Sequence, residues 1–267
     1  LSRKTQPTLI SVMLANSETG VIQPLEEIIA IAKHHNALVH TDAAQAMGRI
    51  SCNFKGLGAD FMTLSSLKVG GPAGVGALIA KEKLPLTPLL MGGGQERGKR
   101  AGTPNTAGIC GFASAITEAS QESWSNCQAL RDELECKLLH LTPEAYIFGQ
   151  QAPRLPNTTC ISLPNHRSDK YVMMYDLEGI AISAGSACSS GKIKSSHVLK
   201  AMNASEEYVN SAIRVSLGLQ TTKVEIEEFC KIWQDIAMKL QKQPLTKDQN
   251  FQDLTISRRE SYVSPEL

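Results

Sequence analysis

Short apolar runs alternate with amphipathic segments over about the first 125 residues, and this alternation restricts the fold more than any other feature. A helix is predicted to begin near Pro24, a favourable first-turn residue, because the apolar residues after it recur with helical period. Strand-like runs flank that helix and follow it, at residues 8–14, 37–41, 60–65 and 76–80. Such alternation predicts an α/β fold with a parallel sheet and helical crossovers.

The second half of the chain mixes the two kinds of element without regular alternation. Strands are predicted at residues 158–163, 180–184 and 212–216. Helices are predicted at residues 106–121, 124–140, 168–177, 196–202, 205–211 and 223–241. We therefore expect a sheet domain over residues 1–125, a smaller α/β domain over 126–255 and a mobile polar tail over 256–267.

Composition and charge are those of an ordinary globular protein, with 42% hydrophobic and 20% charged residues. A net charge of +1 gives no reason to expect nucleic acid or an anionic membrane as partner. No apolar run approaches the ~20 residues of a membrane span. The seven cysteines are scattered without a CxxC pair, which argues against a disulfide framework or a metal site. They predict reduced thiols in the cytoplasm.

Two polar motifs follow predicted strands of the first half. Residues 40–45 read HTDAAQ and carry Asp42, while residues 65–68 read SSLK and end at Lys68. Ligands of open α/β sheets bind at the carboxyl ends of the strands. An aspartate and a lysine at one such edge suit pyridoxal 5'-phosphate, which needs an amine for a Schiff base and a carboxylate beside its ring nitrogen.

These motifs resemble those of the pyridoxal-phosphate cysteine desulfurases, the NifS/IscS-like branch of the class-V aminotransferases. The resemblance extends from about residue 8 to about residue 241. It also includes the N-x-E-x-G turn at 16–20, the RAGT sequence at 100–103 and the SAGSACSSG sequence at 183–191. It implies a fold-type I architecture, with 1–125 as the later half of the large cofactor-binding domain and 126–255 as the small domain carrying the cysteine loop.

The resemblance also implies roles for the residues that would hold the cofactor. Lys68 would form the Schiff base and transfer protons, and Asp42 would face the pyridine nitrogen. Gln45 would bond the ring hydroxyl, and Ser65 would bind the phosphate. Thr103 would reach a phosphate in the opposite subunit, so the active site would be shared across a homodimer.

Three further residues would act on the substrate. Asn16 would lie near the cofactor and the substrate carboxylate, and Arg214 would clamp that carboxylate. Cys188 would accept the sulfur as a persulfide. The implied reaction converts L-cysteine to L-alanine, and the persulfide would pass to a sulfur-acceptor or iron–sulfur scaffold protein.

Each residue also has an ordinary structural interpretation. Lys68 fits a surface lysine. Asp42 fits a helix N-cap and Gln45 its capping-box partner. Asn16 suits a tight turn for purely conformational reasons, and Arg214 suits a structural salt bridge. For Ser65 and Thr103, ordinary loop hydrogen bonding is the alternative, and for Cys188 it is a buried thiol.

The sequence departs from the family at two places. Leu67 stands where these enzymes usually have a histidine that contacts the phosphate, and leucine donates no side-chain hydrogen bond. The family's amino-terminal portion has no counterpart, so we expect a piece of a longer enzyme that by itself binds the cofactor poorly or not at all. A selenocysteine lyase and a truncated non-catalytic remnant are the alternatives to a desulfurase. An aminotransferase is disfavoured because transamination has no use for Cys188.

Overall fold

Two four-stranded sheets form the framework of the computed structural model, which describes residues 8–84, 86–164, 166–184 and 195–241. The first sheet has the strand order β1-β2-β3-β4. Its strands are β1 (Leu9–Met13), β2 (Leu38–Asp42), β3 (Phe61–Ser65) and β4 (Gly76–Ala80). All four lie within a residue or two of their predicted positions, and the α/β class is confirmed.

The last strand of this sheet runs opposite to the prediction. Strands β1, β2 and β3 are parallel, but β4 is antiparallel to β3, with Phe61 opposite Ala80 and Ser65 opposite Gly76. The expectation of a wholly parallel sheet is therefore wrong. A parallel crossover needs a dozen or more residues, whereas residues 66–75 hold only one 3-10 turn. The chain must reverse there, and Lys68 lies in the reversal.

One face of the first sheet is covered by helices. These are α1 (Leu25–His34), the single turn α2 (Phe54–Leu57) and α3 (Thr106–Ala119). Alternate side chains such as Val39, Met62 and Leu64 pack with Ile29 and Phe112 in one hydrophobic cluster. The period of two along each strand therefore directs these apolar residues to the helical side.

The second sheet is entirely antiparallel, with strand order β5-β6-β8-β7. Its strands are β5 (Tyr146–Ile147), β6 (Thr158–Ser162), β7 (Ser183–Ala184) and β8 (Ile213–Ser216). The helices of this half are α4 (Ser125–Leu141), α5 (Ser168–Leu177), α6 (His197–Ala201), α7 (Glu206–Ser211) and α8 (Lys223–Gln241). The sequence did not predict β5 or α2, and the strand predicted at 180–184 is only two residues long.

The core of the second half is built around Trp233, which is fully buried. Its ring stacks on Tyr171 with centroids 5.2 Å apart, and its indole N–H donates to Thr142 Oγ1 at 3.0 Å. The predicted boundary between residues 125 and 126 falls in the first turn of α4. The division into domains and the mobile tail remain predictions, and residues 256–267 lie outside the described part of the chain.

Residues 153–155, in the loop between β5 and β6, form backbone hydrogen bonds with the first half of the chain. Ile22 N–H donates to Pro153 O at 2.8 Å, and Leu155 N–H donates to Gly20 O at 2.8 Å. Arg154 in this segment forms a bidentate ion pair with Glu135 of α4, at 2.6 and 2.7 Å. The polar turn after β1 is thereby fixed to the second half of the molecule.

Candidate active site

The predicted motifs lie at one edge of the first sheet. Because β1, β2 and β3 are parallel, their carboxyl ends meet on the same side. The register pairs Met13 with Asp42 and Asp42 with Thr63. The structure therefore brings the Asn16 turn, Asp42 and the connection that holds Lys68 to a common edge.

Asp42 ends β2 with an exposed carboxylate. Its Oδ1 accepts a hydrogen bond from Ala44 N–H at 2.9 Å, the pattern of an Asx turn. Residues 44–49 form turns and not a helix, so the alternative role of Asp42 as a helix N-cap is wrong. Gln45 lies half-buried in these turns. The carboxylate thus faces solvent, and its role toward a cofactor ring remains a prediction.

Lys68 is exposed within the 3-10 turn Ser66–Val69. Gly70 follows with φ of +83°, and no atom lies within 4 Å of where its Cβ would stand. The preceding side chain, Leu67, is 63% exposed. Lys68 and Leu67 are thus both exposed, whereas Val69 on the other side of Lys68 packs against the core of the first half.

Two serines lie immediately before Leu67. Ser65 is half-buried at the end of β3. Ser66 is buried, and its Oγ has no hydrogen-bond partner among the described residues. A Cβ at Gly71 would clash with that oxygen. The glycine therefore keeps the loop close to a hydroxyl whose bonding capacity is unused.

Asn16 organises the turn after β1. Its Oδ1 accepts from Glu18 N–H at 2.9 Å, Thr19 N–H at 3.0 Å and the Thr19 hydroxyl at 3.2 Å. Its Nδ2 donates to Met13 Sδ at 3.4 Å. The conformational role that the sequence left open is thus present in the structure. The role of Asn16 toward cofactor and substrate remains a prediction.

Arg214 extends from β8 to the same turn. Its Nη1 donates to Ser17 O at 2.8 Å and its Nη2 to Ser183 Oγ at 3.1 Å. Its buried Nε has no partner within the described residues, and Arg214 forms no ion pair with any of them. A salt bridge within the described residues therefore does not account for Arg214, and its role toward the substrate carboxylate remains a prediction.

Two predicted residues cannot be placed against these groups. Thr103 lies exposed in the loop before α3. Cys188 lies outside the described residues, so its role stays a prediction. Sequence reasoning also missed one contact at the site: Ser196 Oγ donates to Glu18 Oε2 at 2.5 Å while capping Leu199 N–H at the start of α6. A serine at the start of a helical run is a common N-cap, but no sequence pattern indicates that its hydroxyl bonds Glu18.

The Aminotransferase class-V family model matches residues 2–229. The chain belongs to this family. It is 40% identical over 224 residues to a cysteine desulfurase of Cereibacter sphaeroides, covering 84% of this chain and 58% of that protein. It is also 40% identical over 235 residues to cysteine desulfurase IscS of Dictyoglomus turgidum, covering 87% and 60%. These matches confirm the resemblance read from the motifs.

A solved structure agrees with the sequence relatives. The NifS-like protein of Rickettsia africae superposes with a TM-score of 0.79 at 38% identity, covering 87% of this chain and 62% of that one. The chain thus spans about three fifths of the length of the relatives that it matches. The fold is that of the NifS-like pyridoxal-phosphate enzymes of fold type I.

The family depends on pyridoxal 5'-phosphate, and the side chains at the sheet edge fit this cofactor. Lys68 supplies an exposed amine and Asp42 an exposed carboxylate. Hydroxyls at Ser65 and Ser66 lie in the same loop, and Ser66 Oγ has no partner among the described residues. The described residues hold no cluster of three or more metal-ligating side chains, and none of their helices is long and apolar enough to cross a membrane.

The described thiols should differ sharply in reactivity. Burial raises the pKa of Cys160 to about 12; Glu18 adds to the rise and Arg214 opposes it. Cys110 and Cys136 are exposed. At pH 8 we expect iodoacetamide to modify the two exposed thiols and spare Cys160, as measured by peptide mass spectrometry. Equal rates at Cys160 and Cys110 would contradict this assignment.

The same thiol gives a pH dependence of stability. Unfolded Cys160 loses its proton near its ordinary pKa of 9.0, whereas the folded chain keeps it to about pH 12. The unfolded state therefore binds fewer protons above pH 9, and the free energy of unfolding falls as the pH rises through this range. Stability from this group is complete below pH 9.

Proposed function

We propose that the protein is a pyridoxal-phosphate-dependent cysteine desulfurase, acting on L-cysteine. One observation carries the proposal: Asp42 and Lys68 are presented together at the carboxyl edge of three parallel strands. Relatives of this chain that bear the name cysteine desulfurase support the same activity. Arg214, whose charge has no carboxylate partner among the described residues, supports an anionic substrate.

The residues at the carboxyl edge of the first sheet would each bind a different part of the cofactor. Lys68 would attach the cofactor covalently and then transfer protons, and Asp42 would keep the ring nitrogen protonated. Gln45 and Ser65 would bind the ring hydroxyl and the phosphate, with Thr103 reaching the phosphate of a partner subunit. When bound, pyridoxal phosphate supplies an electron sink for cleavage at the substrate's Cβ.

Other residues would bind the substrate and accept its sulfur. Arg214 and Asn16 would bind the carboxylate, for which a guanidinium fork is well suited. The thiolate of Cys188 would attack the substrate sulfur. One S–S bond forms and one C–S bond breaks; the sulfur atoms are oxidised to a persulfide, and Cβ, gaining a proton, is reduced to the methyl group of L-alanine.

The proposal also includes the sulfur acceptor, the oligomeric state and the cellular location of the enzyme. The persulfide would pass to a sulfur-acceptor or iron–sulfur scaffold protein, and the enzyme would be a homodimer. The six cysteines within the described ranges are all free thiols. That supports a reducing compartment and therefore a cytoplasmic location.

The activity is tested by incubating the 267-residue chain with millimolar pyridoxal phosphate and L-cysteine, and measuring L-alanine and sulfide released by a thiol reductant. We expect equal amounts of both. L-selenocysteine as a competing substrate separates a desulfurase from a selenocysteine lyase. Binding of the cofactor without release of either product would favour a non-catalytic remnant, the alternative motivated by Leu67.

Leu67→His should tighten cofactor binding. A histidine there can donate a hydrogen bond to the phosphate, and a charge-assisted bond corresponds to about tenfold or more in affinity. Because Leu67 is 63% exposed, the change should leave the fold intact. Absorbance titration with pyridoxal phosphate measures the dissociation constant. Leu89→His, at a leucine that is 95% exposed, is the matched control. An equal gain in both variants would contradict a local effect.

Asp42→Asn should slow the reaction more than it weakens binding. Asparagine can occupy the same Asx turn through its side-chain oxygen, but it cannot hold the ring nitrogen protonated. We expect the rate of L-alanine release to fall by about 10²–10⁴-fold, the range for loss of a proton-handling group. Cofactor affinity is measured in the same samples. A parallel loss of affinity and rate would contradict the role assigned to Asp42.

A further inference from the structure

Arg49 connects the two loops that carry the proposed cofactor groups. Its Nη1 donates to Gln45 O at 2.9 Å, and its Nη2 donates to Lys68 O at 3.2 Å. Gln45 belongs to the turns that follow Asp42, whereas Lys68 belongs to the reversal between β3 and β4. One guanidinium therefore bonds two carbonyls that lie 4 and 19 residues from Arg49 in sequence, on opposite sides of it.

The Arg49 side chain is itself held in place. Its Cζ lies 5.7 Å from the centre of the Trp124 ring, within the range of a cation–π contact. The Trp124 indole N–H donates to Gly48 O at 2.5 Å, so the same tryptophan also fixes the backbone beside Arg49. Because Trp124 immediately precedes α4, the bridge is braced by the second half of the molecule.

Other bonds of the Lys68 loop are local to its own hairpin. Ser66 N–H donates to Val75 O at 3.1 Å, and Gly71 N–H donates to Ser66 O at 3.0 Å. These bonds shape the loop, and the bond from Ala43 N–H to Thr63 O at 3.0 Å joins the Asp42 turn to β3 just before it. The bond from Arg49 Nη2 reaches the Lys68 turn itself. The same guanidinium bonds Gln45 O through a planar fork, a geometry that the ammonium of lysine lacks.

We infer that Arg49 is a positioning residue of the cofactor site, which holds the Lys68 loop against the Gln45 turn with Trp124 as its brace. The inference rests on the proposed function, because it assigns Arg49 to the placement of Lys68 relative to Asp42. Arg49 itself need not touch the cofactor.

The first experiment measures loop order without cofactor. Hydrogen exchange of the 267-residue chain is followed by mass spectrometry in R49A, R49K and wild type. Exchange at residues 46–50 and 66–71 should accelerate about tenfold in R49A, the effect of losing one charge-assisted bond. Residues 158–162 in β6 should not change. R97A is the matched control, because Arg97 is 91% exposed and pairs with Glu82 only at 3.9 Å.

The second experiment measures where the cofactor attaches. Each protein is mixed with millimolar pyridoxal phosphate, reduced with borohydride and mapped by mass spectrometry, which gives labelling at Lys68 relative to the other lysines. The ratio should fall about tenfold in R49A, recover partly in R49K and stay unchanged in R97A. A general loss of structure would instead change labelling and exchange throughout the chain.

Two results overturn the inference: exchange at 66–71 that is the same in R49A and R97A, or faster exchange with an unchanged Lys68 ratio. Absence of Lys68 labelling in wild type, even at saturating cofactor, would mean that this chain does not by itself carry the proposed function. In that case the exchange experiment still decides whether Arg49 orders the loop. The two failures are therefore distinguishable.

Discussion

Lys68→Ala should eliminate covalent attachment of pyridoxal phosphate at the sheet edge and the visible absorbance that accompanies it. Alanine has no side-chain amine, so it cannot form the covalent bond to the cofactor. The rate of L-alanine release from L-cysteine should fall by about 10²–10⁴-fold, because the variant also loses the proton-transfer group. Titration with the cofactor, followed by borohydride trapping and peptide mapping, measures the loss.

The fold should tolerate this substitution, since Lys68 is exposed and its backbone, not its side chain, accepts the bond from Arg49. We expect an unchanged melting temperature. Lys83→Ala, at another exposed lysine of the same half, should keep both attachment at Lys68 and activity. Persistence of the absorbance band in the Lys68 variant would mean that a different lysine carries the cofactor.

Glu135→Ala should lower the free energy of unfolding by about 3–5 kcal/mol, the usual cost of breaking a buried ion pair from one side. The side chains of Glu135 and Arg154 are only 6% and 5% exposed. Alanine would leave the guanidinium of Arg154 buried without its bidentate partner. Urea unfolding followed by circular dichroism measures the change.

A double variant separates the loss of a charge partner from the loss of packing. Glu135→Leu combined with Arg154→Met should recover most of the stability, because apolar residues of similar volume often replace a buried pair without cost. Glu82→Ala removes a partner from the exposed pair with Arg97 and should change little. A double variant as unstable as Glu135→Ala would show that the buried charge was not the cause.

The sequence predicted the strands and the common edge well, because both depend on local patterns. Strand β4 was placed at Gly76–Ala80 from its apolar run, but its direction depended on the length of the connection before it. Weighing those ten residues against the minimum for a crossover would have predicted the reversal. The two-residue strand β5 has too short a pattern to be recognised.

Within the site, the placement of Asp42 and Lys68 followed from strand ends alone. The partners of Arg214 and Arg49 did not, because each pairing depends on three-dimensional packing. Arg214 contacts a carbonyl 197 residues away, and Trp124 contacts one 76 residues away. No local periodicity encodes such pairs. Asn16 was ambiguous for another reason: the same amide suits a turn and a ligand, and sequence patterns do not separate the two.

The turn after β1 also bears on the order in which the chain folds. Its bonds with Ser196 and Arg214 close loops of 178 and 197 residues. Contacts of such high sequence separation slow folding, because chain entropy is lost before they form. We expect the bond from Arg214 to this turn to form late in folding. We therefore expect this turn to be among the last parts of the described chain to gain its native contacts on refolding.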